Sequence, residues 1–151
     1  MKIASPKLHT AHLTANDQAL VRCQAALDQK DRGDYEGAQE VMRQLWRMGK
    51  RPDTKGLHVS VSAEVFLCAG ILTGWIGSKT QVKEAQETAK NLITESISYF
   101  ELVGDQTRVA AARTELAFCC WRNGELDEAQ IMLREALEKL TTAGIPGREQ
   151  F

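Results

Sequence analysis

This sequence predicts an all-α chain of about six helices, taken as three successive helix-turn-helix pairs. Three observations carry that reading. Apolar residues recur three and four positions apart in every substantial segment. No convincing strand remains once those segments are assigned. Finally, RGDYEGA (Arg32 to Ala38) and NGELDEA (Asn123 to Ala129) share one pattern, and each lies between two amphipathic stretches.

The elements follow in order. Helix one runs from about Asn16, expected as its N-cap, to Asp31, with Leu20, Cys23, Ala26 and Leu27 at helical spacing. Gly33 ends it. Helix two is expected from Tyr35 to Met48, with Ala38, Val41, Met42 and Leu45 on one face. Gly49 is its left-handed stop, and Pro52 follows. LHVSVS (Leu57 to Ser62) alternates like a strand, so helix three is expected only from Ala63 to about Trp75. Helix four spans about Thr80 to Val103, with Val82, Ala85, Ala89, Ile93, Ile97 and Phe100 along its stripe. Helix five covers Gln106 to Arg122. Helix six covers Leu126 to Leu140, with Ala129, Met132, Leu133, Ala136, Leu137 and Leu140 as its apolar face.

A chain of 151 residues can bury one core. The expected division is an N-terminal extension 1–15, a repeat domain 16–141 and a tail 142–151. Net charge is −1, so the basic excess that draws proteins to nucleic acid is missing. No run of 18 apolar residues occurs and the N-terminus lacks a signal-peptide core, so no membrane span and a cytoplasmic location are expected. Cys23, Cys68, Cys119 and Cys120 have no CxxC spacing and read as reduced core residues.

The paired turns and the spacing around them resemble the tetratricopeptide repeat, a 34-residue helix-turn-helix unit. In the last unit, Leu116 and Ala117 stand at its Leu-Gly pair and Cys120 at its tyrosine. Ala129 and Leu133 stand at its Ala-x3-Phe pair, and Ala136 at the next small position. Ala25, Ala26, Gln29, Ala38, Met42 and Leu45 correspond in the first unit, and Gly70, Ala89, Ile93 and Ser96 in the middle one. The step from Ala26 to Ala38, like that from Ala117 to Ala129, is 12 residues, whereas Gly70 to Ala89 is 19. An elongated middle hairpin with a longer helix four accommodates the excess. The resemblance implies a right-handed α-solenoid of three hairpins, with units of about 16–52, 57–104 and 105–141. Its segments GWIGS, ESISYFELVGD and ALEKL look most like the arrays of bacterial regulatory and signalling proteins.

GILTGWIGSKT (Gly70 to Thr80) superficially suggests a phosphate-binding loop. Ser78 separates Gly77 from Lys79, Leu72 holds the first glycine position, and the preceding element reads as helix rather than strand. Gly74 and Gly77 are therefore expected to end helix three, with Ser78 or Thr80 capping helix four. His9 and His12 lack further ligands for a metal, and His58 is solitary. Asp28 to Glu36 lacks the alternation of a calcium loop. With no nucleophile or metalloprotease motif either, no enzyme activity, cofactor or metal is expected.

The family's concave groove, lined by the first helix of each unit, usually holds a peptide or helix of a partner. The resemblance places Leu20, Cys23, Leu27 and Lys30 there from the first unit, Leu67, Ile71 and Trp75 from the second, and Thr114, Phe118, Trp121 and Arg122 from the third. Trp and Arg are enriched in binding hot spots, so Trp75, Phe118, Trp121 and Arg122 lead the set. Trp75 and Trp121 fit equally well as fillers between hairpins, and Arg122 as a partner of a helix dipole. Family members that clamp a chaperone's C-terminal carboxylate use Lys and Asn where this chain has Cys23, Leu27, Cys68, Ala111 and Glu115; an apolar or helical ligand suits it better. No seventh amphipathic helix follows helix six. The expected function is a non-catalytic interaction scaffold for a protein or peptide partner. The alternatives are a homo-oligomer formed through the uncapped last repeat, or a regulatory segment that responds to a small ligand.

Overall fold

The computed structural model describes residues 13–142, apart from the side chains of Leu140 and Thr142. Six helices occupy this span: α1 (Ala15–Asp31), α2 (Tyr35–Met42), α3 (Val59–Thr80), α4 (Ala85–Leu102), α5 (Gln106–Arg122) and α6 (Leu126–Thr142). No strand occurs among the described residues. His9, His12 and most of the expected extension and tail lie outside them.

Each helix packs on its sequence neighbour within a pair: α1 on α2, α3 on α4, α5 on α6. In addition, α3 touches both α1 and α5, and α4 touches α5. The two turns that looked alike in sequence are alike in backbone. Gly33 (φ 81°) and Gly124 (φ 82°) both take the left-handed conformation that glycine adopts without a Cβ penalty. Asp34 N donates to Gln29 O at 2.8 Å, and Glu125 N donates to Cys120 O at 2.8 Å. Gly104 (φ 73°) repeats the device between α4 and α5, where Asp105 N donates to Phe100 O at 3.0 Å.

The small residues expected at the crossings are there. Ala26, Ala38, Ala89 and Ala117 are fully buried. A Cβ on Gly70 would stand 2.5 Å from Ile93 Cγ1 and 3.2 Å from the Ala89 carbonyl, so α3 and α4 approach to a distance only glycine permits. Two apolar clusters result. One gathers α1, α2 and one side of α3 around Met42, Phe66 and Leu72; the other joins α3, α4 and α5 around Ile93, Phe100 and Val109.

Several boundaries differ from expectation, each for a physical reason. Thr14, not Asn16, caps α1, its Oγ1 accepting from Asp17 N at 3.1 Å. Asn16 Oδ1 instead accepts from His58 N at 2.9 Å, tying α1 to the start of α3. Helix α2 stops at Met42 rather than Met48, and Gly49 keeps its left-handed φ of 82° in the connection beyond. In that connection Trp46 turns inward and is only 2% exposed. The strand-like LHVSVS becomes the first turn of α3, because Val61 and Ser62 are buried side by side, as helix allows and strand alternation does not.

Gly74 and Gly77 do not end α3. A Cβ on Gly74 would strike Arg122 Nη2, and one on Gly77 would strike the Ala85 methyl, so both glycines serve close packing within the helix. The stop comes at Gln81 (φ 55°), and α4 begins after Glu84 (φ 67°), not at a Ser78 or Thr80 cap. Val82 is consequently exposed in the turn instead of lying on a helical stripe. Most of the excess length of the middle pair thus lies in the 22-residue α3; α4 has 18 residues. Among the described side chains of the expected α6 stripe, Ala129 and Ala136 are buried, Met132 is half-buried, and Leu133 and Leu137 are exposed.

By length and composition, α3 alone among the described helices could cross a membrane, with a mean hydropathy of 1.7, but 78% of that apolar window is buried inside the fold. Helices α1, α4 and α5 surround it.

Candidate functional groove

Helices α1, α3 and α5 border a cleft of about 400 Å³. Its walls are Leu20, Cys23, Gln24 and Leu27 from α1, Glu64, Leu67, Cys68 and Ile71 from α3, and Arg108 from α5. One rim is fixed by a bidentate ion pair: Arg108 Nε donates to Glu64 Oε2 at 2.9 Å and Nη2 to Oε1 at 2.6 Å. Arg108 also lies over the Phe100 ring at 5.5 Å, so the pair joins α3 and α5 and stands on the core.

The second feature is an aromatic–cation cluster joining the C-terminal ends of the same three helices. Trp75 has Lys30 Nζ at 5.1 Å and the Arg122 guanidinium at 4.9 Å from its ring centre. Arg122 Nε donates to Gln86 Oε1 at 2.9 Å, and Gln86 Nε2 donates to Gly74 O at 2.9 Å. Arg122 therefore does more than compensate a helix dipole; it ties α5 to α3 and α4.

Half-buried Glu115 adds a carboxyl to this surface. Burial pushes its pKa up, against the opposing fields of Lys30 and Arg122. The neutral acid therefore fits the folded state better. Its stabilising contribution is complete below about pH 4.5, the ordinary value, and is lost as pH climbs through the raised one. Glu115→Gln is accordingly expected to melt at a higher temperature than wild type at pH 7, with the gap closing in acid. A gap that stays constant with pH would rule out burial of the charge as its cause.

Of the expected partner-binding residues, Leu27, Leu67 and Ile71 meet in the cleft, and Lys30, Trp75 and Arg122 meet in the cluster. Leu67 and Ile71 are 3% and 6% exposed, so they form the floor more than an open contact surface. Thr114 is half-buried, its hydroxyl donating to Ala110 O at 3.0 Å. Phe118 and Trp121 project from α5, Trp121 at 62% exposure. Arg108, Glu64 and Gln24 escaped the sequence reading, because pairing and cleft position depend on which helices come together.

All four cysteines are free and buried. Burial raises the Cys119 thiol to about 11. Cys120, Glu125 and Glu128 come within coordinating distance of one another. That group already holds a cation: Lys90 Nζ lies 3.1 Å from Glu125 and 2.9 Å from Glu87. Burial works against the Lys90 charge, but the hydrogen bonds to Glu87 and Glu125 hold its pKa above the usual lysine value.

The fold and groove define an all-α protein in which three helices share one cleft. No family model, curated protein or solved structure matches the chain.

Proposed function

We propose that this chain is a non-catalytic protein-interaction module, a solenoid of three tetratricopeptide-like hairpins that holds a partner's peptide or helix along α1, α3 and α5. The cleft shared by these three helices carries the reading, since the first helix of every pair contributes to it. Its lining suits an apolar anchor, with the Glu64–Arg108 pair available to orient polar groups beside it. The recurring turns and small crossing residues support a repeat architecture.

Capture of a partner is expected to fail with Trp121→Ala and with Phe118→Ala. Exposed aromatic anchors of this kind are worth about 2 kcal/mol or more, roughly 30-fold in affinity. Both variants should keep the wild-type helical circular dichroism. Undiminished capture by both, and by Arg108→Ala at the rim of the cleft, would remove the groove from consideration.

A second reading has its own observation. Leu126, Leu133 and Leu137 leave one face of α6 apolar and uncovered, with Leu137 62% exposed. Self-association through this face would appear in light scattering as mass rising with concentration and reverting in Leu137→Glu. A constant monomer mass eliminates it.

A further inference from the structure

The first and last helix pairs differ in what lies against them. Counted from the matching turn glycines Gly33 and Gly124, the residues Tyr35, Met42 and Trp46 correspond to Leu126, Leu133 and Leu137. In the first pair α3 covers all three positions. Lys79 Nζ lies over the Tyr35 ring at 4.7 Å, Cys68 Sγ lies 3.9 Å from Met42 Sδ, and Trp46 packs in the cluster that holds Phe66 and Leu72. In the last pair the corresponding leucines are 59%, 39% and 62% exposed. Leu126, Leu133 and Leu137, with Gln130 between them, follow one face of α6. An apolar helix laid along that face would cover the leucines as α3 covers their counterparts.

The charges beside the face select the helix that fits. Asp127 and Arg134 are both exposed and lie two helical turns apart on the same edge of the leucine stripe. A second α6 laid antiparallel sets Asp127 of each copy beside Arg134 of the other and opposes the two helix dipoles. A parallel copy would bring Asp127 to Asp127 and Arg134 to Arg134, and would align the dipoles. Helix α6 has 17 residues and is therefore about 26 Å long. Two faces of that length bury on the order of 1,000 Å² in total, the lower edge of a specific interface.

Building on self-association through α6, we propose that two copies of this chain pair as an antiparallel two-fold dimer. Leu126 of one copy packs against Leu137 of the other, and two Asp127–Arg134 bridges run along the rim. Such an interface uses the same patch on both copies, so association stops at two chains. The small buried area makes the dimer weak, forming at micromolar concentrations.

The experiment is sedimentation velocity of the full chain across the micromolar range. Wild type should pass from one chain to two and level off there. Arg134→Asp and Asp127→Arg each place like charges at both bridges and should weaken the dimer at least tenfold. The double variant, Asp127→Arg with Arg134→Asp, restores opposite signs and should return to within about threefold of wild type. Both positions are exposed, so all three variants should keep the wild-type circular dichroism. A wild-type mass that stays at one chain throughout removes self-association and the dimer together. Association that both single reversals leave undiminished, or that the double variant fails to restore, overturns the antiparallel pairing while the leucine face stands. Mass that climbs past two chains without levelling overturns the two-fold closure.

Discussion

Ile93→Ala is expected to lower the free energy of unfolding by about 2–5 kcal/mol, because a fully buried side chain leaves a cavity where α3 crosses α4. The same crossing supplies a more discriminating measurement. Gly70→Ala would press its new methyl against Ile93 Cγ1 and the Ala89 carbonyl. Overpacking of this kind costs about 1–3 kcal/mol, offset by up to about 1 kcal/mol from the better helix propensity of alanine. In the double variant the space opened at residue 93 receives the methyl added at residue 70. The combined loss should therefore fall short of the sum by about 0.5–3 kcal/mol. Urea unfolding of the four proteins, at a common denaturant slope, measures it. Strict additivity would mean that residues 70 and 93 do not share a tight contact.

Trp46→Ala carries the other large effect, about 3–5 kcal/mol. Trp46 lies outside every helix, yet it packs into the cluster formed by α1, α2 and α3. Its indole N–H faces no hydrogen-bond acceptor among the described residues. An unsatisfied buried donor costs about 1–3 kcal/mol, so Trp46→Phe should lose far less than Trp46→Ala, the smaller ring's cavity being offset by removal of that donor. Thermal and urea unfolding of the pair distinguishes packing from polarity at this position. Equal losses would show that the indole N–H has a partner in solution.

The elements easiest to read from sequence were those whose ends are set locally. Helix α5 runs from Gln106 to Arg122 as expected, because Asp105 caps it by accepting from Arg108 N and a glycine turn closes it. The shared turn at Gly33 and Gly124 was equally legible, since φ and hydrogen bonding there depend on neighbouring residues alone. Helix α3 was misjudged at both ends, and the reason lies in tertiary contacts. Gly74 and Gly77 carry the signature of a helix stop but make room for Arg122 and Ala85, residues distant or separated by a turn. Leu45 likewise continued the periodic pattern of α2 while the backbone had already left the helix.

The groove was legible in part. The resemblance to the repeat family pointed to Leu27, Leu67 and Ile71, and these do meet in the cleft. Their degree of burial, and the Glu64–Arg108 clasp beside them, follow from how α3 and α5 approach.

The neighbours of each helix differ greatly. Helix α3 is held by α1, α4 and α5, whereas α6 packs chiefly on α5 and leaves Leu126, Leu133 and Leu137 toward water. Thermal agitation therefore has an order of attack. Helix α6 can fray from the rest at little expense to the whole, whereas loosening α3 exposes both apolar clusters together.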